Sequence, residues 1–395
     1  MLNDKMIKLG ASRSVIRDLF EYGKLLKEKI GEENVFDFTL GNPSVPCPQE
    51  VNDYIVEVIK NDNSVHAYTS AQGDLNARKA IVDYNLKKYG FKLNENLIYL
   101  TCGAAAALKI AFSSIISNED DEILAIAPFF PEYKVFAETS GAKFNFVDCD
   151  ELNFLVDLKK FEKAINKNTR GVIINSPNNP SGSVYDEKTI IKISEILDAK
   201  QKEYGEPIYL ITDEPYREIL FDGEVCPFIP KYYKNTIICY SYSKALSLPG
   251  ERIGYLAVSP EADNKENLYF AFMGAGRALG YVCAPSLFQK VLIAHADKTS
   301  EIKPYKDNRD ILIEALEKLN FKCVNPKGAF YLFVKSPLKD AVEFSNIAKT
   351  YGLLLVPSDS FGVKGYVRLA TCVSKETAVN SIPYFTKLAK DLKMI

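Results

Sequence analysis

Seven short apolar runs along residues 96–258, separated by helical patterns, limit the possible folds more than any other feature of this chain. They are 96–102 (NLIYLTC), 122–127 (EILAIA), 143–148 (KFNFVD), 171–175 (GVIIN), 208–212 (IYLIT), 236–240 (TIICY) and 254–258 (GYLAV). A half-exposed strand alternates polar and apolar residues, whereas a continuous apolar run must be covered on both faces. Such strands alternating with helices predict an α/β fold with a mainly parallel, seven-stranded sheet covered by helices. Ahead of it, Val15, Ile16, Leu19, Phe20, Leu25, Leu26 and Ile30 fall at helical spacing, and Gly31 stops the run. The following segment, FDFTLGNPSVPCP, holds three prolines, and no regular structure is expected there.

Beyond Pro285 a helical stretch from Leu287 to about Leu319, interrupted near Pro304, leads away from the sheet. Residues 320–395 alternate FKCVN, AFYLFV, LLLVP and YVRLA with helices at about 338–351 and 375–393. The last of these is expected to kink or break at Pro383. Two domains follow: a large one over 48–285, and a smaller α+β domain from 286–395 with an N-terminal arm, 1–47.

The 49 basic and 51 acidic residues give a net charge of −2, without a dense basic block to hold nucleic acid or a membrane surface. No run approaches the roughly 18–20 apolar residues of a membrane span. MLNDKMIKLG lacks the apolar stretch of a signal peptide, so a cytoplasmic chain is expected. Eight dispersed cysteines, with no C-x-x-C pair, read as reduced, buried small hydrophobes. With only His66 and His295 present, no histidine-rich metal site is expected, and acid–base work falls to other groups.

The informative residues sit just after strands, where open α/β sheets bind ligands. After 236–240 comes SYSKALSLPGERIGY, placing Lys244 behind Ser241 and Ser243 and eight residues before Arg252. A nucleophilic amine needs a depressed pKa, and a nearby cation disfavours its protonated form. The serines and Arg252 suit a phosphate dianion, so the segment fits a Schiff base to an aldehyde cofactor carrying phosphate. After 96–102, Gly103 opens an alanine-rich helix whose free N–H groups form a phosphate cup, or simply a packed helix start. Phe130, in PFFPEY, can stack on a flat ring or belong to the core. Asn179 in NSPNNPSG offers an amide to a phenolic oxygen from a turn that is common in itself. In DEPY, Asp213 suits a protonated pyridine nitrogen and Tyr216 a ring hydroxyl, the plain alternative being that Asp213 caps the next turn.

On LGNPSVPCP (40–48), YTSAQGDLNAR (68–78), TCGAAAAL (101–108), NSPNNPSG (175–182), DEPY (213–216), SYSKALSLPGERIGY (241–255) and YVRLA (366–370), the chain resembles a known family. It is similar over essentially its whole length to the fold-type I pyridoxal phosphate enzymes of the class I/II aminotransferase family. The resemblance implies that Lys244 is the Schiff-base lysine and proton shuttle and that Asp213 pairs the pyridine nitrogen. It implies that Asn179 and Tyr216 bond the ring hydroxyl, that Phe130 stacks on the ring, and that Asn179 also meets substrate. The phosphate would be held at Gly103, Ala104 and Ala105 by backbone N–H groups, and by Ser241, Ser243, Arg252 and Tyr68. In the family that tyrosine comes from the neighbouring subunit, which implies a homodimer with shared active sites. Arg368 would clamp the substrate α-carboxylate, assisted by the backbone at Gly41.

In aspartate-type relatives a region placed like Arg277 supplies, across the dimer, an arginine for the side-chain carboxylate. Gly274, Gly276 and Gly280 suggest a loop there, while the ordinary role of Arg277 is a surface ion pair. The chain departs from the family pattern at Phe130, often tyrosine or tryptophan, at Ala104 and Ala105, which lack hydroxyls, and at Ser358, often glycine. The implied activity is ping-pong transfer of an amino group between an L-amino acid and a 2-oxo acid. A β-eliminating C–S lyase would use the same lysine, aspartate and carboxylate clamp. A non-catalytic cofactor-sensing domain would need a DNA-binding partner that the sequence is not expected to hold.

Overall fold

The computed structural model describes residues 2–12, 14–150 and 153–395. Its strands, numbered along those residues, fall into three sheets. The first, β1 (Phe36–Asp37), lies in the segment expected to be irregular. These two residues precede the three prolines and so keep the N–H groups that pairing needs.

The seven apolar runs become β2 (Ile98–Thr101), β3 (Glu122–Ile126), β4 (Lys143–Val147), β5 (Thr169–Asn175), β6 (Tyr209–Asp213), β7 (Thr236–Ser241) and β8 (Gly254–Val258). They form one sheet in the order β2-β8-β7-β6-β5-β3-β4. Pairings from β4 through β7 are parallel, whereas β8 runs antiparallel to both β7 and β2. All of β2, β3, β6, β7 and β8 is buried, while the edge strand β4 is mostly exposed.

Alternate residues of the strands point to opposite faces of the sheet. Tyr99, Ile173, Ile211 and Ile237 meet Ala107, Leu108 and Phe112 of the helix Ala104–Ile115. On the other face Val172, Ile174 and Leu210 meet Ile190, Ile193 and Leu197 of the helix Glu187–Tyr204. Each such aliphatic or aromatic side chain contributes about 1.5–3 kcal/mol on full burial.

Five strands follow: β9 (Lys322–Val324), β10 (Tyr331–Lys335), β11 (Leu353–Leu354), β12 (Val356–Pro357) and β13 (Tyr366–Ala370). Four form an antiparallel sheet ordered β12-β13-β10-β9. The fifth, β11, pairs in parallel with β1, Phe36 opposite Leu353 and Asp37 opposite Leu354. The stretch expected as one interrupted helix from Leu287 is two helices, Ser286–His295 and Lys303–Lys318. Pro304 begins the second helix rather than breaking the first, because the opening turn needs no N–H partner. Pro383 behaves likewise: one helix ends at Asn380 and the next starts at Ile382.

Of the eight cysteines, all expected to be buried, only Cys149, Cys239 and Cys372 are; the other five are partly exposed. Among the described residues no helix is long and apolar enough to cross a membrane.

Candidate active site

Because β2, β3, β5, β6 and β7 run the same way, their C-terminal ends meet along one edge of the sheet. The reversed strand β8 begins at that edge, with Gly254 beside Thr101 and Ser241. This is how Arg252, two residues ahead of β8, arrives next to residues that follow their strands. A cavity of about 560 Å³ opens there, within the usual range for small-molecule sites. All the expected site residues line it except Gly103, Tyr68 and Arg277.

One end of the cavity is a cup of donors. The helix Ala104–Ile115 starts without a side-chain cap, leaving the N–H groups of its first turn for a ligand. Gly103 precedes it with φ +83°, and a Cβ there would lie 2.6 Å from Arg252 Nη2. Only glycine lets the guanidinium approach this closely. Arg252 donates to the carbonyls of Pro249 (2.9 Å) and Cys102 (3.1 Å) and to Ser243 Oγ (3.4 Å). The Ser241 and Ser243 hydroxyls lie 2.8 Å apart.

Beside the cup, Lys244 Nζ donates to the carbonyl of Gly41 at 2.6 Å. Burial pulls its pKa down to about 8, with Arg252 and Arg368 adding to the effect against an opposing pull from Cys372. Asp213, the last residue of β6, accepts from Tyr133 Oη at 2.5 Å through Oδ2. Its Oδ1 is buried with no partner among the described residues. Burial raises the carboxyl to about 7; the Tyr133 bond opposes the rise and Glu214 adds to it. No backbone N–H of the following turn donates to this carboxylate among the described residues, so Asp213 is not a turn cap. An unpaired buried acceptor aimed into a cavity calls for a cationic donor from a ligand.

Across the cavity, Arg368 on β13 is 2% exposed and has no carboxylate partner among the described residues. It donates to Asn179 Oδ1 at 2.9 Å and to the carbonyl of Thr39, and its Nε is unsatisfied. The rings of Tyr331 and Phe361 lie 4.5 and 5.2 Å from the guanidinium. A buried guanidinium without a counter-charge is costly unless an anion joins it. Tyr216 Oη lies 2.9 Å from Tyr331 Oη, and Phe130 faces the cavity with its edge toward Tyr133. Ser358 stays out of the left-handed region, and its hydroxyl accepts from the Tyr366 N–H at 3.1 Å.

Two expected residues lie elsewhere. Tyr68 is 95% exposed. Arg277, expected in a loop, is exposed in the last turn of the helix Lys265–Ala278. Leu268, Tyr269 and Phe272 bury that helix, and Gly276 is small because Tyr99 Oη lies 2.5 Å from where its Cβ would be. The glycine reflects helix packing, not a loop.

Four residues of the site were not singled out from sequence: Tyr133, Tyr331, Asn175 and Arg17. Asn175 ends β5, donates to the carbonyl of Asp213 (2.8 Å) and accepts from the Asn179 N–H (2.7 Å). Its place at a strand end was the available signal. Tyr133 sits one turn after Phe130 in the same motif, and Tyr331 opens an apolar run. Nothing in the spacing of the helix Val15–Ile30 marks Arg17.

The comparisons agree with this geometry. A crystal structure of an amino transferase from Eubacterium rectale is 51% identical and covers 99% of each chain, with a TM-score of 0.97. The aspartate aminotransferase of Thermus thermophilus, solved with maleate, shares the fold at TM-score 0.85 and 21% identity, covering 98% of this chain and 99% of that one. Among curated sequences, an aspartate aminotransferase of Pyrococcus horikoshii is 29% identical over 94% of this chain and 93% of its own length. A probable aspartate aminotransferase of Methanocaldococcus jannaschii is 30% identical over 92% of this chain and 93% of its own length. The family model for aminotransferase class I and II matches residues 33–382, a span that holds the cup, the lysine, the lone carboxylate and the buried arginine alike. The chain belongs to the class I and II aminotransferases.

Proposed function

We propose that this protein is a pyridoxal phosphate-dependent aminotransferase, moving an amino group between an L-amino acid and a 2-oxo acid. The observation that carries the reading is one cavity holding a depressed-pKa amine, an unpaired buried carboxylate, an uncapped helix start with Arg252, and a carboxylate-free Arg368. When bound, pyridoxal phosphate supplies an aldehyde that takes up amines and a ring that accepts electrons from Cα. Ala104, Ala105, Ser241, Ser243 and Arg252 would hold its phosphate, and Asp213 its ring nitrogen. Asn179 and Tyr216 would hold the ring hydroxyl and Phe130 the ring face. Arg368 fixes the substrate carboxylate through two parallel N–H donors, which orients Cα. As the neutral amine, Lys244 Nζ would take the proton from Cα.

Incubation of the pure protein with L-alanine or L-aspartate and 2-oxoglutarate should yield L-glutamate. Pyruvate released from cystathionine without glutamate formation would instead make it a C–S lyase. The cofactor contacts fall within 48–285, while Gly41 and Arg368 come from 1–47 and 286–395, which supports the two-part division. Eight dispersed cysteines with no C-x-x-C pair support a reducing, cytoplasmic setting.

A homodimer with shared sites is part of the proposal, supported by the exposure of Tyr68, which lies outside the lining of this cavity. Lys244→Ala and Tyr68→Ala chains, each impaired alone, should regain activity when mixed, since a hybrid dimer holds one site without either lesion. No recovery despite demonstrated subunit exchange would place Tyr68 outside the neighbour's site. A carboxylate contact at Arg277 would equally have to come from the partner subunit, because Arg277 lies outside its own cavity.

A further inference from the structure

We infer that Arg17, on the arm helix at the cavity mouth, is the specificity residue that binds the second carboxylate of a dicarboxylic amino acid or 2-oxo acid. The inference rests on the amino-transfer reading and adds to it a substrate class. The cavity lining carries four cationic side chains, Arg17, Lys244, Arg252 and Arg368, against one carboxylate, Asp213. Lys244 and Arg252 are used by the cofactor, and Arg368 by the α-carboxylate. Arg17 is left over. It forms no ion pair with any carboxylate among the described residues and is exposed at the mouth.

Its position is fixed from both sides. Ser14 Oγ caps the helix Val15–Ile30 by accepting from the Arg17 N–H, so the guanidinium leaves from the first turn. Ile16 and Leu19 pack with Val356 and Phe361, and the Phe361 ring lies 5.2 Å from the Arg368 guanidinium. Arg17 therefore stands one packed layer from the buried arginine, on the same cavity. The preceding helix, Asp4–Ala11, is tied to the large sheet's side of the cleft by Lys5 Nζ, which donates to the carbonyl of Glu138 at 2.6 Å. The arm thus crosses the mouth with a contact at each end. A guanidinium at the mouth meets whatever the substrate carries beyond Cβ. A carboxylate gains a partner there, whereas a methyl or aromatic group leaves Arg17 in water, where it was already solvated.

The test uses the cofactor-loaded protein with Arg17→Ala, Arg17→Lys and, to remove the rival arginine expected from sequence, Arg277→Ala. For L-aspartate and L-glutamate, kcat/KM should fall about 10- to 150-fold in Arg17→Ala, the range contributed by hydrogen bonds to a charged group. The loss should appear mainly in KM, with Arg17→Lys recovering part of it. L-Alanine and L-phenylalanine should keep wild-type kcat/KM, which a merely structural role for the arm would not allow. Calorimetric binding of maleate, an unreactive dicarboxylate, should weaken by a similar factor in Arg17→Ala and remain unchanged in Arg277→Ala. Equal maleate affinity in wild type and Arg17→Ala overturns the inference, and needs no turnover to do so. So does an equal loss for all four amino acids, or a loss confined to Arg277→Ala. Failure of any amino transfer by wild type would instead defeat the broader reading, with the maleate result still deciding the role of Arg17.

Discussion

Lys244→Ala is expected to drive amino transfer below roughly one ten-thousandth of wild type, the upper end of what a positioned proton-transfer group contributes. The loss should reach that end because in the proposed reaction one amine performs two tasks, covalent capture and movement of the Cα proton. Stopped kinetics with an unchanged melting temperature would place the defect in chemistry rather than folding. In wild type, borohydride reduction should fix the cofactor to the peptide that contains Lys244; attachment to any other lysine defeats the assignment. The same amine predicts a pH dependence. Its pKa in the folded protein is about 8, lowered from the ordinary 10.5, so the reactive neutral form dominates above pH 8 and is protonated below it. Uptake of pyridoxal phosphate by cofactor-free protein should therefore accelerate as pH rises and level off above about 8. A midpoint near that of an ordinary lysine would show that burial beside Arg252 and Arg368 does not depress it.

Arg368→Ala should lower kcat/KM for every L-amino acid by about 30-fold to several thousand-fold. That range corresponds to the roughly 2–5 kcal/mol lost when one partner of a buried, hydrogen-bonded charge pair is removed. Arg368→Lys should recover only part of it, since an ammonium keeps the charge but loses the two-pronged donor geometry. The variant also frees the Asn179 amide oxygen and the Thr39 carbonyl, so some loss of stability is expected. A primary amine without a carboxylate separates the two effects. Its slow transfer should be the same in wild type and Arg368→Ala if the arginine acts on the substrate carboxylate, and should fall in parallel if it only supports the fold.

The central sheet was legible because most of its strands are apolar at nearly every position, a pattern with one physical cause, burial on both faces; the exposed edge strand β4 is the exception. The reversed direction of β8 was not. Strand direction leaves no mark on periodicity, and only the register of Gly254 beside Thr101 and Ser241 explains why Arg252 reaches the cup. Local chemistry was readable where a motif compresses it, as around Lys244. It was hidden where partners come from distant segments, such as Tyr133 with Asp213 or Tyr331 with Tyr216. Near Arg277 the three glycines outweighed the helical spacing of Leu268 and Phe272, although one of them serves only to let Tyr99 approach. Arg17 escaped notice because a charged residue on an amphipathic helix is ordinarily a solvated one.

The backbone of residues 36–40 is held largely by residues more than three hundred positions later. Phe36 and Asp37 pair with β11, the Phe38 carbonyl accepts from the Ala370 N–H at 2.9 Å, and Arg368 holds the Thr39 carbonyl. On a ribosome adding about 5–20 residues per second, this early segment waits roughly 15–60 s for its partners to be made. Once β8 has been made, with about a hundred residues still to come before these partners, the seven-stranded sheet can form and close around the lysine. Arg368 and the carbonyl of Gly41 that accepts from Lys244 cannot yet be in place. The nascent chain is thus able to acquire its larger core well before it acquires a working site. The stretch translated among the first is among the last to find its position.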